Sequence, residues 1–326
     1  MDRRICVCLE FLTEAHRARI AQTARETGFA VSFFTPEQLG EAMACVPGCE
    51  ILYAHSPELV RAGSEELKWF CCSWAGVELY CRDKSFFRNP ACLLTNSAGA
   101  YGVTISEHIL MVLLMLLRRM PEFQQVMARR GWSDQLPVRS VFGSPITVLG
   151  TGDLGTTFAR KARLLGAGPL VGVSRSGRAR TAGVFDEMHP FTELDAVLPR
   201  TQILVMCLPG TPETANILDR RRIGLLAPDA FVVNVGRGAA LDQDALAEAL
   251  NAGRLAGAAL DVMVPEPLPP DSPLWSARNL ILTPHVAGNM SLGYTCDRDV
   301  EMFCQDLRSY AAGRPLAHLV DRSRGY

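Results

Sequence analysis

Residues 146–165 read ITVLGTGDLGTTFARKARLL: an apolar run of strand length, a turn with glycines at 150, 152 and 155, then apolar residues Leu154, Phe158, Ala162 and Leu165 at helical spacing. Few local patterns restrict a fold as much. The first glycine allows the tight turn, the second lets backbone approach a pyrophosphate, and the third lets helix pack on strand. Amides at the helix start, around Thr151, Asp153 and Leu154, then bind the phosphates.

The rest of the chain supplies the expected surroundings. Short apolar runs at 5–9, 30–34, 51–54, 69–74 and 92–95 alternate with helix-compatible stretches such as 14–27. From Pro145 the pattern starts again, with runs at 146–149, 170–174, 203–208, 231–235, 256–262 and 280–282. Such alternation predicts an α/β protein of two doubly wound, Rossmann-like domains, each a parallel sheet with helices on both faces. A last helical stretch, 291–312, returns to the first domain. The nucleotide-binding domain, 101–290, is therefore inserted into a discontinuous substrate domain, 1–100 and 291–326. A cleft that closes about crossings near Asn96 and Gly288 is the expected place for a ligand.

At 326 residues the chain can hold two cores, and 48% hydrophobic residues exclude a disordered one. A formal net charge of -1 gives no reason to expect nucleic acid or a membrane as partner. The apolar run 109–117 falls short of the about 20 residues a membrane helix needs. No charged stretch followed by an apolar one opens the chain, and eleven cysteines lack zinc or disulfide-framework spacing. Reduced thiols and a cytoplasmic protein are expected. The long helix beginning near Thr104 has a wider apolar face than one core requires, which predicts that it also packs against a second subunit in a homodimer.

An NAD-binding unit places an acid at the end of its second strand, where it holds the ribose 2′-hydroxyl. Here the chain reads Ser174-Arg175-Ser176-Gly177-Arg178. An acid would repel a 2′-phosphate and a guanidinium binds one, so NADP is the expected cofactor, with NAD possible if these arginines are only solvated. Three later clusters complete a reaction centre. Reducing a 2-oxo acid needs a cation for its carboxylate, a proton for the developing alkoxide and a hydride beside the carbonyl carbon. Arg237, in VNVGRG at a strand's carboxyl end, supplies the cation. His285, in LTPHVAG, supplies the proton, and Glu266, in DVMVPEP, is the carboxylate expected on its far ring nitrogen to fix the tautomer and keep the ring charged.

With these segments the chain resembles the D-isomer-specific 2-hydroxyacid dehydrogenases over nearly its whole length, through TNSAGAYGVTISEH, GTGDLG, CLPGTPETANIL, VNVGRGAALDQDALAEAL, GAALDVMVPEPLPPDSPLW and NLILTPHVAG. By that resemblance Arg237, Glu266 and His285 are the catalytic residues, and Asp261 is the acid near the nicotinamide carboxamide. It further implies that Trp74, Ala75, Gly76 and Val77 present amides to the substrate carboxylate. Cys207, Leu208, Pro209 and Thr214 would line the cofactor, Val235 and Gly236 the nicotinamide side, with Ala287 and Gly288 beyond His285. Glu78 replaces the Asp common after this amide loop. The SRSGR stretch makes the chain most similar to glyoxylate or hydroxypyruvate reductases, acting on small 2-oxo or 2-hydroxy acids. In that branch a Trp after the long helix reaches a partner's pocket, and Trp132 is either that residue or an interface Trp without substrate contact. The alternatives are an NAD-linked enzyme like phosphoglycerate dehydrogenase, which would favour an acid where Ser174 stands, and a non-catalytic dinucleotide-sensing protein of the same fold. A formate dehydrogenase, which sets an amide where Glu266 stands, fits less well.

Overall fold

A computed structural model describes residues 3–133, 135–179 and 181–325. Met1, Asp2 and Tyr326, the outer ends of the expected substrate domain, lie outside the described residues, as do Asp134 and Arg180. The chain divides into two compact units, 1–101 with 290–326, and 102–289.

The first unit holds strands β1 (Arg3–Cys8), β2 (Phe29–Phe34), β3 (Ile51–Ala54), β4 (Trp69–Cys72) and β5 (Leu93–Thr95) in the order β2-β1-β3-β4-β5. All neighbours are parallel. Helices α1 (Glu14–Glu26), α2 (Leu39–Cys45), α3 (Pro57–Ala62) and α4 (Glu78–Arg82) connect them, and the helix Gly293–Ala311 packs along α1. Thr13 caps α1 by accepting from His16 N, one of the four amides a helix start leaves over. Inner strands β3 and β4 carry apolar residues at every position because both faces are covered, and β1 does so from Ile5 onward. One core layer centres on Tyr53 and Phe303, whose rings stack 4.2 Å apart, with Trp69 5.4 Å from Phe303.

The second unit begins with α5 (Gly102–Leu117) and α6 (Met120–Ala128). Its strands are β6 (Ile146–Leu149), β7 (Leu170–Ser174), β8 (Glu187–Pro190), β9 (Ile203–Met206), β10 (Phe231–Asn234), β11 (Gly257–Leu260) and β12 (Leu280–Leu282). They form one parallel sheet, ordered β12-β11-β10-β9-β6-β7-β8. Helices α7 (Asp153–Leu164), α8 (Leu194–Val197), α9 (Arg220–Leu225) and α10 (Gln243–Asn251) link them. The order reverses between β6 and β9, the topological switch point at which doubly wound sheets bind ligands.

Four differences from the sequence reading have physical reasons. Strands expected to reach Trp74, Leu208, Val235 and Val262 stop at Cys72, Met206, Asn234 and Leu260, because the chain leaves the ladder there to build loops. Edge strand β8, half-buried EMHP, has too little apolar character to stand out. Helix α6 buries no residue, so its only sequence signal is Pro121 in the first turn. Leu165, expected on the apolar face of α7, is its C-cap and is exposed, while Phe158, Ala159 and Ala162 are buried.

Candidate active site

The glycine turn joins β6 to α7 at the switch point. Gly150 has φ +100°, and a Cβ there would stand 2.7 Å from Cys207 O at the end of β9. A Cβ on Gly155 would stand 2.1 Å from Gly150 O, so only glycine lets α7 start this close to the strand. Gly152 differs: nothing lies within 4 Å of where its Cβ would be. It occupies the N-cap of α7, offering no side chain to the first-turn amides of Asp153 and Leu154. Thr151 is buried, and its carbonyl accepts from Thr156 Oγ1 at 3.1 Å, which holds the turn's shape. A cradle open at one glycine and closed at two fits a pyrophosphate.

Ser174 ends β7 without a carboxylate. Its Oγ donates to Arg178 O at 3.3 Å, Arg178 N donates to Ser176 Oγ at 3.4 Å, and Gly177 takes φ +66° between them. Arg175 lies 4.0 Å from Glu213, both side chains substantially exposed. On the other side of β6, Thr214 Oγ1 donates to Pro209 O at 2.6 Å and accepts from Thr211 N at 3.0 Å, fixing the turn after Cys207 and Leu208. Gly236 N donates to the buried Asn234 Oδ1 at 3.0 Å, and a Cβ on Gly236 would meet Leu208 N at 2.6 Å. The segments 207–209 and 235–236 therefore lie side by side at the strands' carboxyl ends.

Arg237 follows. Asn234 Nδ2 donates to its carbonyl at 3.0 Å, and its own Nη1 donates to Gly236 O at 2.8 Å. The next residue, Gly238, presses on the β11 side of the site, where a Cβ would stand 2.3 Å from Met263 C. This close approach brings the loop of Arg237 against the loop of Glu266. Glu266 is an exposed residue whose side chain is 34% accessible. Its Oε1 accepts from Met263 N at 2.8 Å, and its Oε2 lies 2.8 Å from His285 Nδ1. The His285 side chain is 50% exposed, so the ring is supported on one nitrogen and open to a small ligand.

Asp261, at the end of β11, organises the loop that carries the imidazole. Its Oδ1 accepts from Thr283 Oγ1 at 2.6 Å and Val286 N at 2.9 Å, and its Oδ2 from Ala287 N at 3.0 Å. Its carbonyl accepts from His285 N at 2.8 Å. Those bonds hold His285 at φ +54°, a left-handed conformation that a non-glycine residue keeps only when its surroundings enforce it. Gly288 follows Ala287 in the same loop. His108 of α5 adds a contact that sequence reasoning missed, with Nε2 3.1 Å from Thr283 Oγ1. It stood in the TISEH segment, but nothing in spacing tied it to a strand end far along the chain.

In the first unit, Trp74–Val77 leaves β4 as a loop braced from several sides. Ser97 N donates to Trp74 O at 3.2 Å, Asn96 Nδ2 to Ala75 O at 2.8 Å and Tyr101 OH to Ser73 O at 2.8 Å. Trp74 stacks on His55, the ring centres 4.5 Å apart. Trp132 is 92% exposed in the loop after α6. Among the described residues no cluster of His, Cys, Asp and Glu could hold a metal ion, and no helix is long and apolar enough to cross a membrane. The eleven cysteines are free thiols.

A parallel sheet with a glycine cradle at its switch point, and an imidazole–carboxylate pair beside an arginine at the strand ends, defines a nucleotide-dependent oxidoreductase. Comparison with known proteins narrows this. Residues 110–287 match the family model of the D-isomer specific 2-hydroxyacid dehydrogenase NAD-binding domain. Glyoxylate/hydroxypyruvate reductase A from Yersinia enterocolitica is 33% identical over 279 residues, 83% of this chain and 85% of the relative. The enzyme of the same name from Escherichia fergusonii is 34% identical over 225 residues, 69% of this chain and 70% of the relative. A solved D-isomer specific 2-hydroxyacid dehydrogenase family protein from Aeromonas salmonicida superposes with TM-score 0.83 at 30% identity, covering 99% of this chain and all of the other. An NADPH-dependent glyoxylate/hydroxypyruvate reductase from Sinorhizobium meliloti, in complex with NADP and sulfate, gives TM-score 0.82 at 26% identity, covering 99% and 100%. The chain belongs to the D-isomer specific 2-hydroxyacid dehydrogenases, NAD(P)-dependent oxidoreductases.

Proposed function

We propose that this protein reduces a small 2-oxo acid of the glyoxylate or hydroxypyruvate type to the D-2-hydroxy acid, using NADPH, with His285 as the proton donor. The observation that carries the reading is the 2.8 Å contact between His285 Nδ1 and a Glu266 whose other oxygen is already held by Met263 N. With Nδ1 on the carboxylate, Nε2 is the nitrogen left to give a proton.

The dinucleotide, when bound, supplies a hydride to the carbonyl carbon. This chain's residues do the rest. The turn Gly150–Gly155 takes the pyrophosphate, Arg175 and Arg178 with Ser174 and Ser176 take the 2′-phosphate, and segments 207–209, Thr214, 235–236 and 287–288 line the nicotinamide half. Asp261 shapes the loop beneath it. Arg237 binds the substrate carboxylate and polarises its carbonyl, while the amides of 74–77 bind the same carboxylate. His285 Nε2 protonates the carbonyl oxygen as charge develops there, and Glu266 stabilises the imidazolium before transfer. The unit 102–289 then serves the nucleotide and also carries Arg237, Glu266 and His285, while the other unit carries the amides of 74–77.

Similarity supports the substrate class, since the relatives named above are glyoxylate/hydroxypyruvate reductases and one was solved with NADP. Helix α5 buries Ile105, Ile109, Val112 and Leu113 but leaves Met111 and Leu114 exposed, and we assign that second face to another copy of the chain in a homodimer. Eleven free thiols suit a reducing compartment such as the cytoplasm. The test follows NADPH and NADH absorbance with glyoxylate, hydroxypyruvate, pyruvate and bulkier 2-oxo acids. His285→Ala is expected to abolish turnover while NADPH affinity stays within about twofold. A competent His285→Ala enzyme removes the proton-donor assignment, and tight dinucleotide binding without turnover of any acid favours a sensor.

A further inference from the structure

Gln243 opens α10, and its side chain makes both hydrogen bonds to one residue of the loop that carries Glu266. Nε2 donates to Val264 O at 2.7 Å, and Oε1 accepts from Val264 N at 2.9 Å. This is the reciprocal pairing that a neighbouring antiparallel strand would offer, supplied here by a side chain. One residue earlier, Met263 N donates to Glu266 Oε1, which leaves Oε2 for His285. From the other side the backbone of Gly238 closes on Met263. The loop is thus held between the Arg237 turn and the start of a helix that is itself well anchored. Asp242 caps α10 by accepting from Ala245 N, and Ala245 and Leu246 are buried.

We propose that Gln243 is a positioning residue for the reaction, fixing the 263–266 turn so that Glu266 presents one oxygen to the imidazole. It touches neither substrate nor cofactor. The inference rests on the reading above, in which His285 donates the proton and Glu266 supports it. Removing the amide frees Val264, a residue 52% exposed, to exchange both bonds for water. The loop then loses its register rather than its fold. A carboxylate displaced by a fraction of an ångström supports the ring less well, and misplacements of about 1 Å near a reacting centre can cost about a hundredfold.

The experiment uses the full-length protein with NADPH and glyoxylate, reading the single-turnover loss of NADPH absorbance, the KM for glyoxylate and the Kd for NADPH. Variants are Gln243→Ala, Gln243→Glu, Glu266→Gln and the Gln243→Ala/Glu266→Gln double. Gln243→Ala is expected to slow turnover about tenfold with KM and Kd within about twofold. Gln243→Glu keeps the acceptor for Val264 N, loses the donor, and falls between; it also carries the test if the alanine variant folds poorly. In the Glu266→Gln background, Gln243→Ala is expected to add nothing, because the group it positions has gone. Equal slowing in both backgrounds, or a change in KM or Kd alone, overturns the proposal. A fully active Glu266→Gln single variant overturns the support role itself, and so is distinguishable from a failure confined to Gln243.

Discussion

Asp299 is the most strongly perturbed carboxylate of the first unit. It is buried between Tyr53, whose hydroxyl donates to Oδ2 at 2.7 Å, and Ser97, whose Oγ touches Oδ1. Burial pushes its pKa up to about 7, against the two hydrogen bonds, which pull it down. Protonated, it can donate to Ser97 Oγ, leaving the serine proton for Cys72 O at 3.0 Å, in the strand that leads to Trp74. The sign of the pH dependence follows. Below about pH 4 the folded and unfolded chains both hold the proton, and the group is neutral to stability. Between about pH 4 and 7 only the folded chain holds it, so stability falls as pH rises, by about 4 kcal/mol in all, and levels off above 7. Asp299→Asn has no such slope. Its melting temperature minus that of the native protein is expected to be larger at pH 8 than at pH 5; a constant difference would mean that Asp299 does not titrate in this range.

At the level of elements, the carboxyl ends of the second sheet do the selecting. Every expected cofactor residue falls on a segment leaving β6, β7, β9, β10, β11 or β12, or on the turn just after it. The turn at 150–155 and the stretch at 174–178 were legible because a glycine pattern and an apolar run mark those strand ends locally, whereas Cys207, Leu208, Pro209, Thr214, Val235, Gly236, Asp261, Ala287 and Gly288 were expected only through the family resemblance. The polar braces were not legible: Asn234 acts on Arg237 only three residues on, where no spacing singles it out, and Gln243 and His108 act on Val264 and Thr283 from separate segments, which leave no periodicity to read. Strand β8 was missed for the opposite reason, an edge position that tolerates polar residues. The end of β7 carries the prediction that belongs here. Arg175 and Arg178 flank a turn with no acid, so replacing both with Ala is expected to raise the KM for NADPH about tenfold or more, the loss of one or two charge-assisted bonds, and to leave NADH nearly unaffected. Equal loss with both coenzymes would mean that these guanidinia shape the turn rather than read a 2′-phosphate.

The whole molecule consists of two units, each with its own core. In one, buried layers form around Leu52, Phe70 and Tyr80 and around Tyr53, Trp69 and Phe303; in the other, around Leu149, Val173, Leu204 and Val232. Units with separate cores report ligand binding separately, because a ligand stabilises what it touches, by about 2.7 kcal/mol at a hundredfold excess over Kd. The proposed cofactor residues all belong to the unit 102–289, whereas the amides of 74–77 belong to the other. Hydrogen exchange can separate the two contributions. Saturating NADPH alone is expected to slow exchange at 150–155, 174–178, 207–214 and 235–236, leaving 74–77 at its free rate. Adding oxamate, an unreactive stand-in for a 2-oxo acid, should then protect 74–77. Protection of 74–77 by NADPH alone, or none after the acid is added, would show that this loop is not the carboxylate's partner and would move the search for substrate amides elsewhere.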